Sequence, residues 1–372
     1  MTEYNLNIIS LDVPFPPNYG GVIDIFYKIK ALHAQGVNIY LHCFEYGRAE
    51  SKELNWYCKK VFYYKRKTGI YSNFSLMPYI IYSRRSKKLL NNLNANQFPI
   101  LFEGLHSIYS LLKDNFEDRI VLLRSHNIEH EYYKQLAIRE KNIFKKLYFR
   151  KEAFLLKRIL EKLPPHIQIG AISLDDRDYF KRISKNTFWL PPFHSNQKTE
   201  SSEGYGNYVL YHGNLSVSEN IEVAEYLIEQ FAEKKVSLII AGKEPSKKLI
   251  ESTERIKNIK VIENPNHEVM QDLIKEAHVI LLPTYQVTGI KLKLIESLYK
   301  GRFCIANYTM INNTMLENLV EITENDFYVK SMALMETAFS EIDISKRAME
   351  LDRYYSNSKN AKMIVDKIKG NW

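Results

Sequence analysis

Apolar residues along this chain follow two alternating patterns. Short continuous runs, bounded by glycine, proline or asparagine, read as buried strands. Segments with apolar residues three and four apart read as helices. In the first half the runs at 5–11, 37–44, 100–101, 120–123 and 167–172 are strand-like. A Pro/Gly-rich loop over 14–21 leads to a helix over 22–35 through Ile25, Phe26, Ile29 and Leu32, closed by Gly36. A linker rich in Pro, Ser, Asn and Gly runs from Leu190 to about Tyr205. The second half repeats the alternation: strands at 208–211, 236–241, 259–262, 279–282 and 303–307, with helices at 221–231, 246–255 and 268–277 and another opened by Gly289. A last helical segment, about 344–369, has no strand after it.

Strand–helix alternation in two blocks predicts an α/β protein of two Rossmann-like, doubly wound domains facing a cleft. The expected boundaries are 1–190 for the first domain and 205–343 for the second, with the terminal helix, about 344–372, packing back on the first.

The stretch PTYQVTGIKLKLIESLYKG, Pro283 to Gly301, follows one of these strands. Its first-turn amides, at Thr288, Gly289 and Ile290, are expected to be free and to face the strand's carboxyl end, a place suited to a phosphate. The helix is apolar on most of its circumference, through Ile290, Leu292, Leu294, Ile295, Leu298 and Tyr299. Lys293, Glu296 and Lys300 share one polar stripe, which either lines a cleft or is a solvated face with a Lys293–Glu296 ion pair.

Composition narrows the setting. At 45% hydrophobic and 26% charged the chain is globular, and no apolar run approaches the length that crosses a bilayer. The amino-terminal sequence reads as no signal peptide. Cys43, Cys58 and Cys304 have neither metal nor redox spacing, so a reduced cytoplasmic protein is expected, without a metal site. Net charge is +12 over residues 1–190 and −3 over 191–372. The densest basic part, 59–88, interleaves Lys65, Arg66, Lys67, Arg84 and Arg85 with Tyr63, Tyr64, Phe74, Tyr79 and Tyr82. That pattern suits docking on an anionic membrane surface, the competing reading being an ordinary solvated face. No nucleic-acid motif accompanies it.

Several segments together resemble the GT-B glycosyltransferases, specifically the family-4 retaining enzymes that use nucleotide-diphosphate sugars. Pro16-Pro17-Asn18-Tyr19-Gly20-Gly21 resembles the family's glycine loop and Arg124-Ser125-His126-Asn127-Ile128-Glu129 its histidine segment. Tyr211-His212-Gly213-Asn214-Leu215 resembles the opening of the second domain, and Ala241-Gly242-Lys243 the strand-end glycine. Gly289-Ile290-Lys291-Leu292-Lys293-Leu294-Ile295-Glu296, with Gly301, resembles the donor helix. The family has two glutamates eight positions apart, and here Thr288 stands at the first. Asn214 replaces an arginine, and Glu219-Asn220 occupies the region of a lysine.

The resemblance implies a metal-independent hexosyltransferase without a cofactor, whose partners are a nucleotide-sugar donor and a saccharide or lipid-linked acceptor, in bacterial surface polysaccharide synthesis. Gly20, Gly21, Gly213, Asn214, Lys243, Thr288, Gly289, Ile290 and Glu296 then belong to the donor site, with Glu296 on the ribose hydroxyls. Lys293, with Lys243, supplies the charge that offsets the leaving diphosphate, and His126 touches the transferred sugar or the acceptor. Glu103 and Arg124 are secondary acceptor-contact candidates, and Asp175-Asp176 reads as a helix cap. The cytoplasm, with peripheral attachment to the inner face of the membrane, is the expected location. Two other readings share the fold: a nucleotide-sugar-binding protein or partner subunit that does not transfer, and a nucleotide-sugar epimerase, which needs cleft carboxylates.

Overall fold

The computed structural model describes residues 4–69, 72, 75–285 and 292–369. The chain forms two compact units, 1–195 with 356–372, and 196–355. The first crossover therefore lies inside the expected linker. The terminal segment differs from expectation: in place of one helix there are two, Glu341–Tyr355 and Asn357–Ile368, and only the second belongs to the first unit.

The first unit holds a seven-stranded parallel sheet of order β3-β2-β1-β4-β5-β6-β7. Its strands are β1 (Tyr4–Ser10), β2 (Val37–Glu45), β3 (Lys60–Lys65), β4 (Ile100–Glu103), β5 (Val121–Ser125), β6 (Gln168–Ala171) and β7 (Thr187–Trp189). The central strands are buried on both faces, which is why they read as continuous apolar runs. One face packs on helix α1 (Gly20–Ala34) and on Asn357–Ile368, whose Ala361, Ile364, Val365 and Ile368 join the core under Ile25, Ile29 and Leu32. Burying those side chains compensates for ordering a chain terminus that lacks strand partners. The opposite face carries Leu156, Leu160 and Phe180 over Ile9, Phe102 and Leu123.

The second unit holds a six-stranded parallel sheet of order β10-β9-β8-β11-β12-β13. Its strands are β8 (Val209–Asn214), β9 (Leu238–Lys243), β10 (Ile259–Glu263), β11 (Val279–Leu282), β12 (Phe303–Ala306) and β13 (Glu321–Ile322). Gly242 has a packing role here, since a β-carbon on it would fall 2.1 Å from the Gly213 carbonyl on the adjacent strand.

The basic, aromatic segment 59–88 divides between surface and core: Lys59, Lys60, Lys65, Lys67, Leu76, Lys87 and Lys88 are exposed, while other side chains turn inward. Part of it is β3, an edge strand. Tyr64 is buried, Phe62 stacks on His42 with centroids 4.7 Å apart, and Ile80 and Ile81 lie in the core. Arg84 is buried and donates to the carbonyls of Leu11 and Ile80, while Arg66 and Arg85 lie over Tyr46 and Tyr82. These cations spend their donors and faces on this chain. Phe74 lies outside the described residues.

Among the described residues no helix is long and apolar enough to cross a membrane.

Candidate active site

Both sheets reverse strand order at one point, and parallel α/β sheets bind ligands beyond the carboxyl ends of the strands at such a point. In the first unit it lies between β1 and β4. There α1 supplies Asp24 and Lys28, β4 ends in Glu103, β5 carries Arg124, and His126 follows β5 directly.

These five side chains form one buried network. Lys28 Nζ lies 2.8 Å from Asp24 and 2.8 Å from both Glu103 oxygens. Arg124 donates to both Asp24 oxygens, at 3.0 and 3.2 Å, and to the Leu190 carbonyl, and Asp24 also accepts from the Phe193 amide at 2.8 Å. His126 Nε2 sits 3.3 Å from Asp24 and 3.2 Å from Glu103. Burial alone would raise both carboxyls, but the Arg124 and Lys28 charges hold Asp24 well below the usual carboxylate range, and Lys28 and His126 hold Glu103 down. Burial opposes a charge on His126 too, yet the two carboxylates outweigh it and its pKa is raised. Asp24, Glu103 and His126 lie close enough together to suggest a metal triad. Two fixed cations already match the two carboxylates, which leaves little electrostatic drive for a third.

Glu103 and Arg124, read from sequence as acceptor contacts, are fully buried and act here as the frame that orients His126. Asp24 and Lys28 went unnoticed in the sequence because on the page they are an ordinary i, i+4 helix pair. Their burial is a property of α1 lying against the sheet. Asp175-Asp176 opens a helix, as expected, with the Ser173 hydroxyl accepting from the Asp176 amide.

Gly20 and Gly21, expected in a loop, form the first turn of α1. Tyr19 precedes them without a side-chain cap, and no acidic residue lies in that turn. A β-carbon on Gly21 would meet nothing closer than the Tyr19 ring at 3.5 Å, and its φ is not positive, so the fold itself does not require glycine there.

In the second unit the reversal falls between β8 and β11. Lys293, on the helix Leu292–Lys300, places its ammonium 5.4 Å from the centre of the Tyr211 ring on β8. Burial pulls its pKa down to about 8, against the pull of nearby Glu219, which raises it. The buried Glu219 carboxylate accepts from the Thr284 hydroxyl at 2.8 Å and the Tyr285 amide at 2.9 Å, fastening the segment after β11 to the helix Ser218–Phe231. His212 Nε2 lies 3.0 Å from the Ser297 hydroxyl, and burial lowers that imidazole to about 3, so it stays neutral.

The remaining candidates of this unit disperse. Glu296 accepts from Gln271 on the helix His267–Glu276, and Gln271 in turn accepts from Lys300, so the expected polar stripe divides between two neighbours. Asn214 folds its side-chain oxygen onto the Ser216 amide and hydroxyl, and its carbonyl accepts from Asn220. A β-carbon on Gly213 would make only ordinary contact with Asn220, and Lys243 is exposed at the end of β9, in register with Asn214. Thr288, Gly289 and Ile290 lie outside the described residues. Sequence reasoning treated Glu219 as a departure and missed that it sits beside Lys293.

Residues 206–338, most of this unit, match the family model described as glycosyl transferases group 1. The chain carries a group 1 glycosyltransferase domain. Its fold is GT-B, as in solved structures that align over almost the whole of both chains. The Anabaena protein Alr3699/HepE, solved with UDP and glucose, superposes with a TM-score of 0.63 at 10% identity, covering 99% of this chain and 100% of that one. The lipopolysaccharide outer core galactosyltransferase WaaB superposes with a TM-score of 0.64 at 14% identity over the same shares. At such identities the likeness is one of fold. An uncharacterized 44.6 kDa protein in the cps region of Klebsiella pneumoniae is 26% identical over 322 residues, 80% of this chain and 81% of that protein.

Proposed function

We propose that this glycosyltransferase moves a sugar, with retention and without a metal, from a nucleotide-diphosphate sugar to a saccharide or lipid-linked acceptor. Placement of the Lys293 ammonium at the strand-order reversal of the second unit carries this reading. A departing diphosphate needs positive charge fixed before reaction, and a cation held in a mostly protein environment provides it more effectively than one in water. The family's arginine and lysine positions are filled by Asn214 and Glu219-Asn220, so Lys293 takes over that role. Glu219 favours its charged form.

In this mechanism the bond between the sugar's anomeric carbon and the diphosphate oxygen breaks, and the diphosphate keeps the electron pair. The acceptor hydroxyl attacks from the leaving-group face and passes its proton to the departing phosphate. Lys293, with Lys243, balances the charge, and Glu296 turns from Gln271 toward the ribose hydroxyls. In the second unit Gly213 and Asn214 leave room for the donor. His126, held by Asp24 and Glu103, is a rigid donor to a sugar hydroxyl. Activated-sugar ligands fit the complex of HepE with UDP and glucose, and bacterial surface polysaccharide synthesis in the cytoplasm fits the cps-region relative and WaaB.

A thermal-shift screen against UDP, GDP, ADP and CMP, with and without magnesium, tests the donor. One nucleoside diphosphate should raise the melting temperature regardless of magnesium. No shift from any of them removes the donor reading.

The local closure of Asn214 on Ser216 favours a second reading, a nucleotide-sugar-binding protein that does not transfer. Donor hydrolysis without acceptor, abolished in Lys293→Ala, rejects it.

A further inference from the structure

The first unit carries a helical hairpin, Glu129–Arg139 and Ile143–Leu160, one face of which is exposed among the described residues. The inner face of the second helix is fixed. Leu156 and Leu160 lie in the core, and Glu152, buried, accepts from the Tyr79 amide at 2.7 Å. The outer face holds Phe144, Leu147 and Phe154, at i, i+3 and i+10, with Phe144 79% exposed. Ile138 and Ile143 flank the turn between the helices and are 68% and 58% exposed. Asn142 caps the second helix through the amides of Phe144 and Lys145, so its first apolar side chains project from an ordered start.

Around this apolar tip the exposed charges are Arg139, Lys141, Lys145, Arg150 and Lys151. Glu140, partly buried, is the acidic residue of the turn, since Glu152 points inward. We infer that the hairpin tip is a docking surface for an anionic lipid bilayer, with the apolar side chains at the acyl boundary and the cations on headgroup phosphates. The combination selects that occupant. A second copy would bring two rings of like charge together, and a hydrated polysaccharide gives an exposed Phe and Ile nothing apolar to enter. A bilayer with anionic lipid satisfies both sets at once. This is a second basic and apolar surface beside the one expected at 59–88, where Lys65, Lys67 and Leu76 are also exposed, and it does not depend on the transferase reading.

Flotation of the full chain with vesicles, in the absence of any donor, tests the inference. Wild type should partition onto vesicles containing phosphatidylglycerol and not onto phosphatidylcholine alone, and added salt should release it. Phe144→Ser with Leu147→Ser should lower the partition coefficient about tenfold or more at an unchanged melting temperature, because both side chains are exposed. Lys145→Gln and Lys151→Gln should each lower it roughly fivefold. Absence of wild-type partitioning, or wild-type partitioning by the double serine variant, overturns the inference. So does concentration-dependent dimerisation of wild type that the double serine variant abolishes without any vesicle binding, which would make the surface a self-contact.

Discussion

Replacing Asp24 by asparagine removes one of the two carboxylates that balance Lys28 and Arg124. In the native chain Asp24 accepts from Lys28 at 2.8 Å, from Arg124 at 3.0 and 3.2 Å and from the Phe193 amide at 2.8 Å, all in a region closed to solvent. The asparagine oxygen can still accept from the amide and one guanidinium nitrogen, so shape and part of the hydrogen bonding survive. Charge balance does not. Glu103 would be left to balance Lys28 and Arg124 alone. Removing one partner of a buried ion pair costs about 3–5 kcal/mol, because the cost is that of an uncompensated charge. For a unit of roughly two hundred residues this is a fall in melting temperature on the order of 10 °C.

Calorimetry is the appropriate assay, since each unit has its own core and only the transition of the first should move. Adding Lys28→Met should recover part of the loss, because it removes the excess cation; the two substitutions should therefore be strongly non-additive. A fall of less than about 2 °C in Asp24→Asn, or simple additivity with Lys28→Met, would refute the claim that these charges are mutually compensating.

Other expectations follow from the same geometry. His126 is raised in the fold, so its stabilisation is complete below about 6.5 and is lost as pH rises through its higher folded value. Glu129, raised to about 7 by burial, acts in the same direction between its unfolded value of about 4.5 and 7. Stability measured by urea unfolding should therefore decline on going from mildly acid to mildly alkaline pH, and Glu129→Gln should flatten the lower part of that decline. Because Lys293 is charged only below about 8 in the free protein, kcat/KM for the donor should fall above that pH, and Lys293→Arg should move the limb upward. A limb unchanged in the arginine variant assigns it to another group. Glu296→Gln should weaken nucleotide binding measured by calorimetric titration while leaving the melting temperature within about 2 °C; unchanged affinity places the ribose elsewhere. Gly242→Ala should cost about 2 kcal/mol or more, since its β-carbon would overlap the Gly213 carbonyl at 2.1 Å, and an unchanged urea midpoint would show that the β8–β9 spacing can relax.

By itself the sequence determined the alternation of strands and helices, and it offered a linker over 190–205 and Lys293 as candidates. Each of these is written locally: an apolar run, a proline linker, a cation on an apolar helix. Three of the four edge strands, β3, β7 and β13, escaped this reading, because they are short or half-exposed and lack a continuous apolar run. The break between the last two helices escaped for a similar reason, since helical periodicity continues on both sides of Ser356 and only packing assigns the two to different units. Tertiary structure alone decided which charges are buried. Asp24, Lys28, Glu103 and Arg124 are separated by up to 100 residues, and nothing in their local spacing distinguishes them from solvated pairs. The same holds in reverse within the aromatic, basic stretch 59–88, where Tyr64, Ile80, Ile81 and Arg84 are buried while its lysines stay exposed. Burial is a property of what lies across the sheet, and the pKa of a side chain, its partners and its availability to a ligand all follow from it.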